Sequence, residues 1–181
     1  MENGSNRRNF LASAAAGITL LPLVNFLSGC RQEKKAIPEK KIYADPKLEL
    51  LDLALQHEFG AVVQYSNHAG VIAALNHDKT GYLRDQVQTI IADEVEHAIE
   101  ISEILKKNNL QPSVTVWPAQ LGETPKEMLE KDIKAEEGAM KLYEQILALP
   151  LNDMEKRIIE QIALSEEMHF TTFTSLFGDF S

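Results

Sequence analysis

Apolar residues recur at Leu48, Leu51, Leu55, Val62, Tyr65, Ala69 and Ile72, spaced by threes, fours and sevens, with mostly polar residues between them. That period places one apolar stripe along a helix and predicts α-structure from about Pro46 to Asn76, with Asp45 as N-cap and Pro46 in the first turn. Leu83, Val87, Ile90, Ile91, Ile101, Ile104 and Leu105 repeat the pattern and predict a second helix from about Lys79 to Asn109. Only a few residues separate the two, so they should lie antiparallel. From Gln111 to Gly122 the pattern breaks, with Pro112, Pro118 and a β-branched cluster around Trp117. Thr124-Pro125-Lys126-Glu127 has capping-box spacing and opens a third helix, which Pro150 ends near Leu149. Asn152 to Glu155 repeats that spacing ahead of a fourth helix with Ile158, Ile159, Ile162, Phe170 and Phe173 as its stripe. The expected fold is all-α: a four-helix bundle of two antiparallel hairpins. Their linker, of about 14 residues, can span the bundle if extended.

The polar residues inside these stripes carry the chemistry. Glu58-Phe59-Gly60-Ala61-Val62-Val63-Gln64-Tyr65 and Glu136-Glu137-Gly138-Ala139-Met140-Lys141-Leu142-Tyr143 match at Glu, Gly-Ala and Tyr. The next helix of each hairpin then carries Glu-x-x-His, as Glu94 to His97 and Glu166 to His169. Three-residue spacing sets carboxylate and imidazole on one helix face. Glu58 and Glu94 each lie about 18 residues from the first turn, and Glu136 and Glu166 about 15 from the second, so each pair meets at one depth. Four carboxylates converging in a core repel one another unless a cation neutralises them. Four glutamates and two histidines suit two divalent first-row ions, iron or manganese, better than a site for softer metals. Glu137 competes with Glu136 for the third-helix position, and the seven-residue spacing to Tyr143 favours Glu136. Glu96, Glu100, Glu103, Glu137 and Glu167 are expected on solvated faces. His57, His68 and His77 have no partner at ligand spacing and are expected as surface or satisfied histidines.

Composition sets the surroundings. The chain of 181 residues has a formal charge of −9, which argues against non-specific nucleic-acid binding. Arg7-Arg8-Asn9-Phe10-Leu11 precedes an uncharged stretch from Ala12 to Leu27, the layout of an export signal rather than of a domain. The stretch is short for a membrane span, and Gly17 and Pro22 interrupt it. The arginine pair resembles a twin-arginine signal, which exports folded proteins. Leu27-Ser28-Gly29-Cys30 resembles a lipobox, where the signal is cut before a cysteine that then carries lipid. Cys30 is the chain's one cysteine, so no internal disulfide forms. Residues 1–30 are therefore expected to be the signal ending at Cys30, 31–44 a polar tether, and 45–178 the domain. The expected location is the cell envelope, facing the periplasm or exterior, with the membrane reached through lipid on Cys30.

On the paired Glu-x6-Tyr and Glu-x-x-His motifs, the chain resembles the ferritin-like superfamily, nearest to bacterioferritins and related di-iron carboxylate proteins, over about Asp45 to Phe177. The resemblance implies that Glu58 and Glu136 are terminal ligands, that Glu94 and Glu166 bridge two metals, and that His97 and His169 bind one metal each. It also implies that Tyr65 and Tyr143 donate hydrogen bonds behind the ligands and that Asp93 orients a histidine, with Ser165 at the corresponding place in the second half. Val95 stands where bacterioferritins carry a haem-ligating methionine, so no haem is expected. Only 12 residues follow His169, too few for the fifth helix of cage-building storage ferritins. Ala139 replaces the additional glutamate of rubrerythrins. The activity this implies is ferroxidase-type oxidation of Fe²⁺ by O₂ or peroxide at two irons, with a homodimer as the candidate assembly. The alternatives are a manganese catalase and a non-catalytic metal-binding or structural lipoprotein.

Overall fold

The computed structural model describes residues 43, 45–75 and 77–180. The signal, Cys30 and nearly all of the tether lie outside them. Four helices form: α1 (Pro46–Ala74), α2 (Tyr82–Lys107), α3 (Pro125–Leu147) and α4 (Asp153–Gly178), with no strand among the described residues.

Local chemistry sets each boundary. The Asp45 carboxylate accepts from Lys47 N at 2.8 Å, and Pro46 occupies the first turn, where its missing N–H costs nothing. Helix α2 starts at Tyr82 rather than near Lys79, because Gly81 takes a left-handed φ of 76° and the Asp78 carboxylate reaches forward to Leu83 N and Arg84 N. Both capping boxes form, Thr124 with Glu127 and Asn152 with Glu155. Each cap is worth about 1 kcal/mol. Glu155 does more than cap: both its oxygens lie 3.1 Å from Lys47 Nζ and one accepts from Asn108 Nδ2 at 3.0 Å. One carboxylate thus joins the start of α1, the end of α2 and the start of α4.

Helix α1 packs on α2 and α3, and α4 packs on α3 and α2. Lys47 faces Glu155 while Gln64 and His68 face Asp132, so α1 and α3 run antiparallel, as do α2 and α4. The linker must then travel the length of the bundle, and α1 supplies its missing backbone partners. Ser113 N donates to the Asp52 carboxylate at 2.8 Å, Trp117 N to Gln56 O at 3.2 Å, and Gln120 N to Gln64 Oε1 at 2.8 Å. Gly60 favours this close approach, since a Cβ there would sit 3.1 Å from Trp117 Cβ and 3.2 Å from its carbonyl, so the crossover would have to shift slightly.

The apolar core is split. One cluster around Leu51, Leu55, Ile101, Leu105, Ile146 and Ile159 fills the end near Glu155. Another around Tyr65, Ile72, Val87, Leu129, Phe173 and Leu176 fills the end near Asp78. Between them lies a polar layer.

Candidate metal centre

That layer contains all six residues expected as ligands. Glu58, Glu136 and Glu166 have no exposed surface, and Glu94, His97 and His169 are also buried. All four helices contribute: Glu58 from α1, Glu94 and His97 from α2, Glu136 from α3, Glu166 and His169 from α4. Adjacent Glu137 is exposed, so the apolar stripe of α3 selects Glu136 for the interior. Glu96, Glu103 and Glu167 are likewise exposed and Glu100 is partly so.

Two overlapping groups result. Glu58, Glu94, His97 and Glu166 each offer one ligand atom within 4.8 Å of the others, and so do Glu94, Glu136, Glu166 and His169. Glu94 and Glu166 belong to both. His97 Nδ1 lies 3.0 Å from Glu166, 3.3 Å from Glu94 and 3.6 Å from Glu58. His169 Nδ1 lies 3.2 Å from Glu94, and the two imidazoles stack with centroids 5.8 Å apart.

Hydrogen bonding leaves much of this unsatisfied. Glu58 Oε2, Glu94 Oε1, both oxygens of Glu136 and of Glu166, and His169 Nδ1 are buried with no well-aligned hydrogen bond. Leaving a buried polar atom unpaired costs about 1–3 kcal/mol, and more when it is charged. A concentration of such atoms on one spot fits a bound cation, and oxygen plus imidazole donors fit iron or manganese.

Without metal, protons carry the balance. Burial, then the Glu58 charge, raises Glu94 well above the usual carboxylate range; burial and the Glu166 charge do the same to Glu136. Burial and the charges of Glu58 and Glu94 push Glu166 up to about 8. Burial also opposes the charge on Glu58, but contact with His97 and Glu94 and the nearby imidazoles outweigh it and hold Glu58 at about 2. Burial opposes the His97 charge in turn, and the carboxylates of Glu166, Glu58 and Glu94 overcome it to push His97 up to about 12. Without metal, Glu58 and His97 form the oppositely charged pair of the layer, and Glu94, Glu136 and Glu166 hold their protons more tightly than ordinary carboxylates.

The tyrosines cross between hairpins. Tyr143 of α3 donates a short hydrogen bond to Glu58 of α1. Tyr65 of α1 lies beside Glu136 of α3, close enough for the two to shift each other's proton affinity, although its hydroxyl has no aligned partner. Burial raises both phenols well above their ordinary value, so both remain protonated. Asp93 and Ser165 both serve His169, at 3.3 and 3.2 Å from Nε2, so the asymmetry between the halves is that one imidazole has both partners. A proton on Nε2 facing Asp93 leaves the Nδ1 lone pair directed at Glu94.

Several buried polar residues have no counterpart in the repeat pattern. Asp132 accepts from Gln64 Nε2 at 2.9 Å and lies 2.7 Å from His68 Nδ1, so His68 is a buried, partnered histidine. The four-residue spacings Gln64 to His68 and Asp132 to Glu136 were the available signal. His57 is buried too, with Nε2 3.2 Å from Ala135 O and its ring edge-on to Trp117 at 5.1 Å. Trp117 covers the flank of the bundle, and His77 is exposed beside Phe180.

This geometry agrees with comparisons to known proteins. The family model described as ferritin-like domain matches residues 48–153. Bacterioferritin from Mycobacterium tuberculosis superposes with a TM-score of 0.67 at 22% identity, over 76% of this chain and 87% of that one. Bacterioferritin from Desulfovibrio desulfuricans, a structure described as showing its diiron site in different catalytic states, gives 0.67 at 23% identity, over 73% and 78%. No curated protein matches at the sequence level. The match to the family model spans more than half of the 181 residues, and the four-helix bundle superposes on solved bacterioferritins: the chain belongs to the ferritin-like family.

Proposed function

We propose that the domain binds two Fe²⁺ ions and oxidises them with O₂ or hydrogen peroxide. In this reading Glu58 and His97 would hold one ion, Glu136 and His169 would hold the other, and Glu94 and Glu166, which belong to both groups, would serve both. The observation that carries it is the pair of overlapping ligand groups sharing Glu94 and Glu166. Bound Fe²⁺ is the electron donor. One peroxide takes one electron from each of two Fe²⁺ and two protons from the medium, and leaves as two waters.

The chain's own residues prepare the site. Tyr143 fixes one Glu58 oxygen by donating to it and leaves Oε2 for a metal. Asp93 and Ser165 hold the His169 ring by Nε2. The apolar clusters on either side limit water to what the ligands admit, which strengthens each metal–carboxylate attraction.

The test is metal analysis of purified protein, then anaerobic loading with Fe²⁺ and exposure to oxidant. Two irons per chain that convert to Fe³⁺ support the proposal. Manganese with O₂ evolution from peroxide, or bound metal that never turns over, refutes it. The proposal places this chemistry at the cell envelope, on the twin-arginine pair and Cys30. Replacing Arg7 and Arg8 with lysine should retain the precursor inside the cell, and Cys30→Ala should abolish lipid labelling; normal export and labelling would refute that location.

A further inference from the structure

Between α1, α3 and the crossover, at the level of the metal centre, lies a cleft of about 130 Å³. That is room for several water-sized molecules. Its inner wall is His57, whose Nδ1 lies 3.9 Å from Glu58 Oε1, so one side chain borders both the cleft and a candidate ligand. Trp117 of the crossover roofs it, packed edge-on against His57. Gly60 and Gly138, the repeated glycines of the two halves, keep it open. At Gly60 the crossover takes up the space, but a Cβ at Gly138 would meet nothing within 4 Å.

The chemistry of the cleft selects its visitor. Gln64 is engaged at both ends, by Asp132 and by Gln120 N, and His57 Nε2 is engaged by Ala135 O. These polar groups are therefore not free to hold a ligand tightly. The rim carries Lys131 and Lys134, the latter paired with Glu130 at 2.7 Å, and presents no carboxylate of its own. A cationic rim repels a dication such as Fe²⁺. An uncharged molecule small enough to pass the glycines meets neither repulsion nor a trap.

We propose that this cleft is the entry for the small uncharged oxidant, with Trp117 as its roof and His57 as the last wall before the metals. The inference rests on the proposed function, since only an oxidising centre needs such an entry.

The test uses the full chain with Gly138→Ala and Gly138→Leu, and Gly70→Leu as control. An added Cβ at Gly70 also meets nothing within 4 Å, and Gly70 does not line the cleft. Trp117 is the chain's only tryptophan and is 39% exposed, so acrylamide also reaches it from outside; the part of its quenching that Gly138→Leu removes reads access from the cleft side, without metal. The expected result is that quenching and the second-order rate of peroxide oxidation of the Fe²⁺-loaded protein fall together, least for alanine and most for leucine. The leucine variant should lose roughly tenfold in rate. Bound Fe²⁺ per chain and the metal-dependent rise in Tm should not change, and Gly70→Leu should match wild type throughout. A Gly138→Leu protein with reduced quenching that oxidises at the wild-type rate overturns the entry route alone. Loss of Fe²⁺ binding in that variant overturns it too, because the cleft would then serve the metal. Wild-type protein that binds Fe²⁺ and is never oxidised overturns the proposed function, and the route with it.

Discussion

Glu94→Gln and Glu58→Gln should behave in opposite ways, although both remove a buried carboxylate from the same layer. Glu94 has its proton affinity raised by burial and by Glu58, which favours the neutral acid in the metal-free protein. Glutamine matches that acid in shape and charge, and the metal-free domain should keep its stability to within about 0.5 kcal/mol. Glu58 is instead held at about 2 and faces a His97 held at about 12. Glu58→Gln leaves the His97 charge without the one neighbouring carboxylate whose pKa is held low, and breaking a buried pair from one side costs about 3–5 kcal/mol. Metal reverses the ranking. Wild type should gain about 2.7 kcal/mol at a free Fe²⁺ concentration one hundred times its dissociation constant. Glu94→Gln should lose nearly all of that gain, because Glu94 belongs to both ligand groups. His97→Ala belongs to one group only and should retain the metal held by Glu136 and His169. The assay is thermal unfolding under anaerobic conditions with and without Fe²⁺, with bound metal counted for each variant. Full metal-dependent stabilisation and two metals per chain in Glu94→Gln would refute the shared-ligand reading. A metal-free Glu58→Gln as stable as wild type would refute the ion pair.

Metal uptake should release protons, since Glu94, Glu136 and Glu166 are raised in the metal-free state and must ionise to bind. Affinity should therefore climb as pH rises toward about 8, where Glu166 titrates, and calorimetry in buffers of different ionisation enthalpy would read the protons directly. Glu155 has the opposite shift: burial opposes its charge, but Asn108, Asn152 N and Lys47 overcome this and lower its pKa. Its contribution to stability is therefore full above the unfolded-state value of about 4.5 and fades as pH falls through the lower folded value. Glu155→Ala, which also strands the buried Lys47 ammonium, should cost about 3 kcal/mol by denaturant titration at pH 7 and much less at acid pH. Tyr143→Phe removes the donor to Glu58 and should cost about 1–3 kcal/mol in the metal-free protein, and a variant as stable as wild type would show that bond to be worthless.

The helices, their hairpins and the long crossover were legible in the sequence because each rests on local chemistry: a 3.6-residue stripe, a capping residue, a proline or a short connection. The six interior residues were legible for a related reason. Glu-x6-Tyr and Glu-x-x-His occur twice at matching depths, and a charge in the middle of an apolar stripe has no local cause. Between Glu136 and Glu137 the sequence offered only the seven-residue spacing to Tyr143, and the fold turns Glu136 inward and leaves Glu137 exposed. Tertiary structure decided what no single helix contains. The start of α2 moved to Tyr82 because Asp78 and Gly81 act together in the turn. Asp132 became the buried partner of Gln64 and His68 only when α1 and α3 came together antiparallel. Asp93 and Ser165 converged on one histidine rather than one each, which depends on how α2 meets α4 and not on the repeat. The crossover could be counted but not routed from sequence. Its path along α1 is set by three hydrogen bonds to residues some 60 positions away, and that path puts Trp117 over His57 and forms the cleft. Periodicity encodes which face of a helix turns inward; which side chains then meet depends on the distances between helices, and those exist only in the folded bundle.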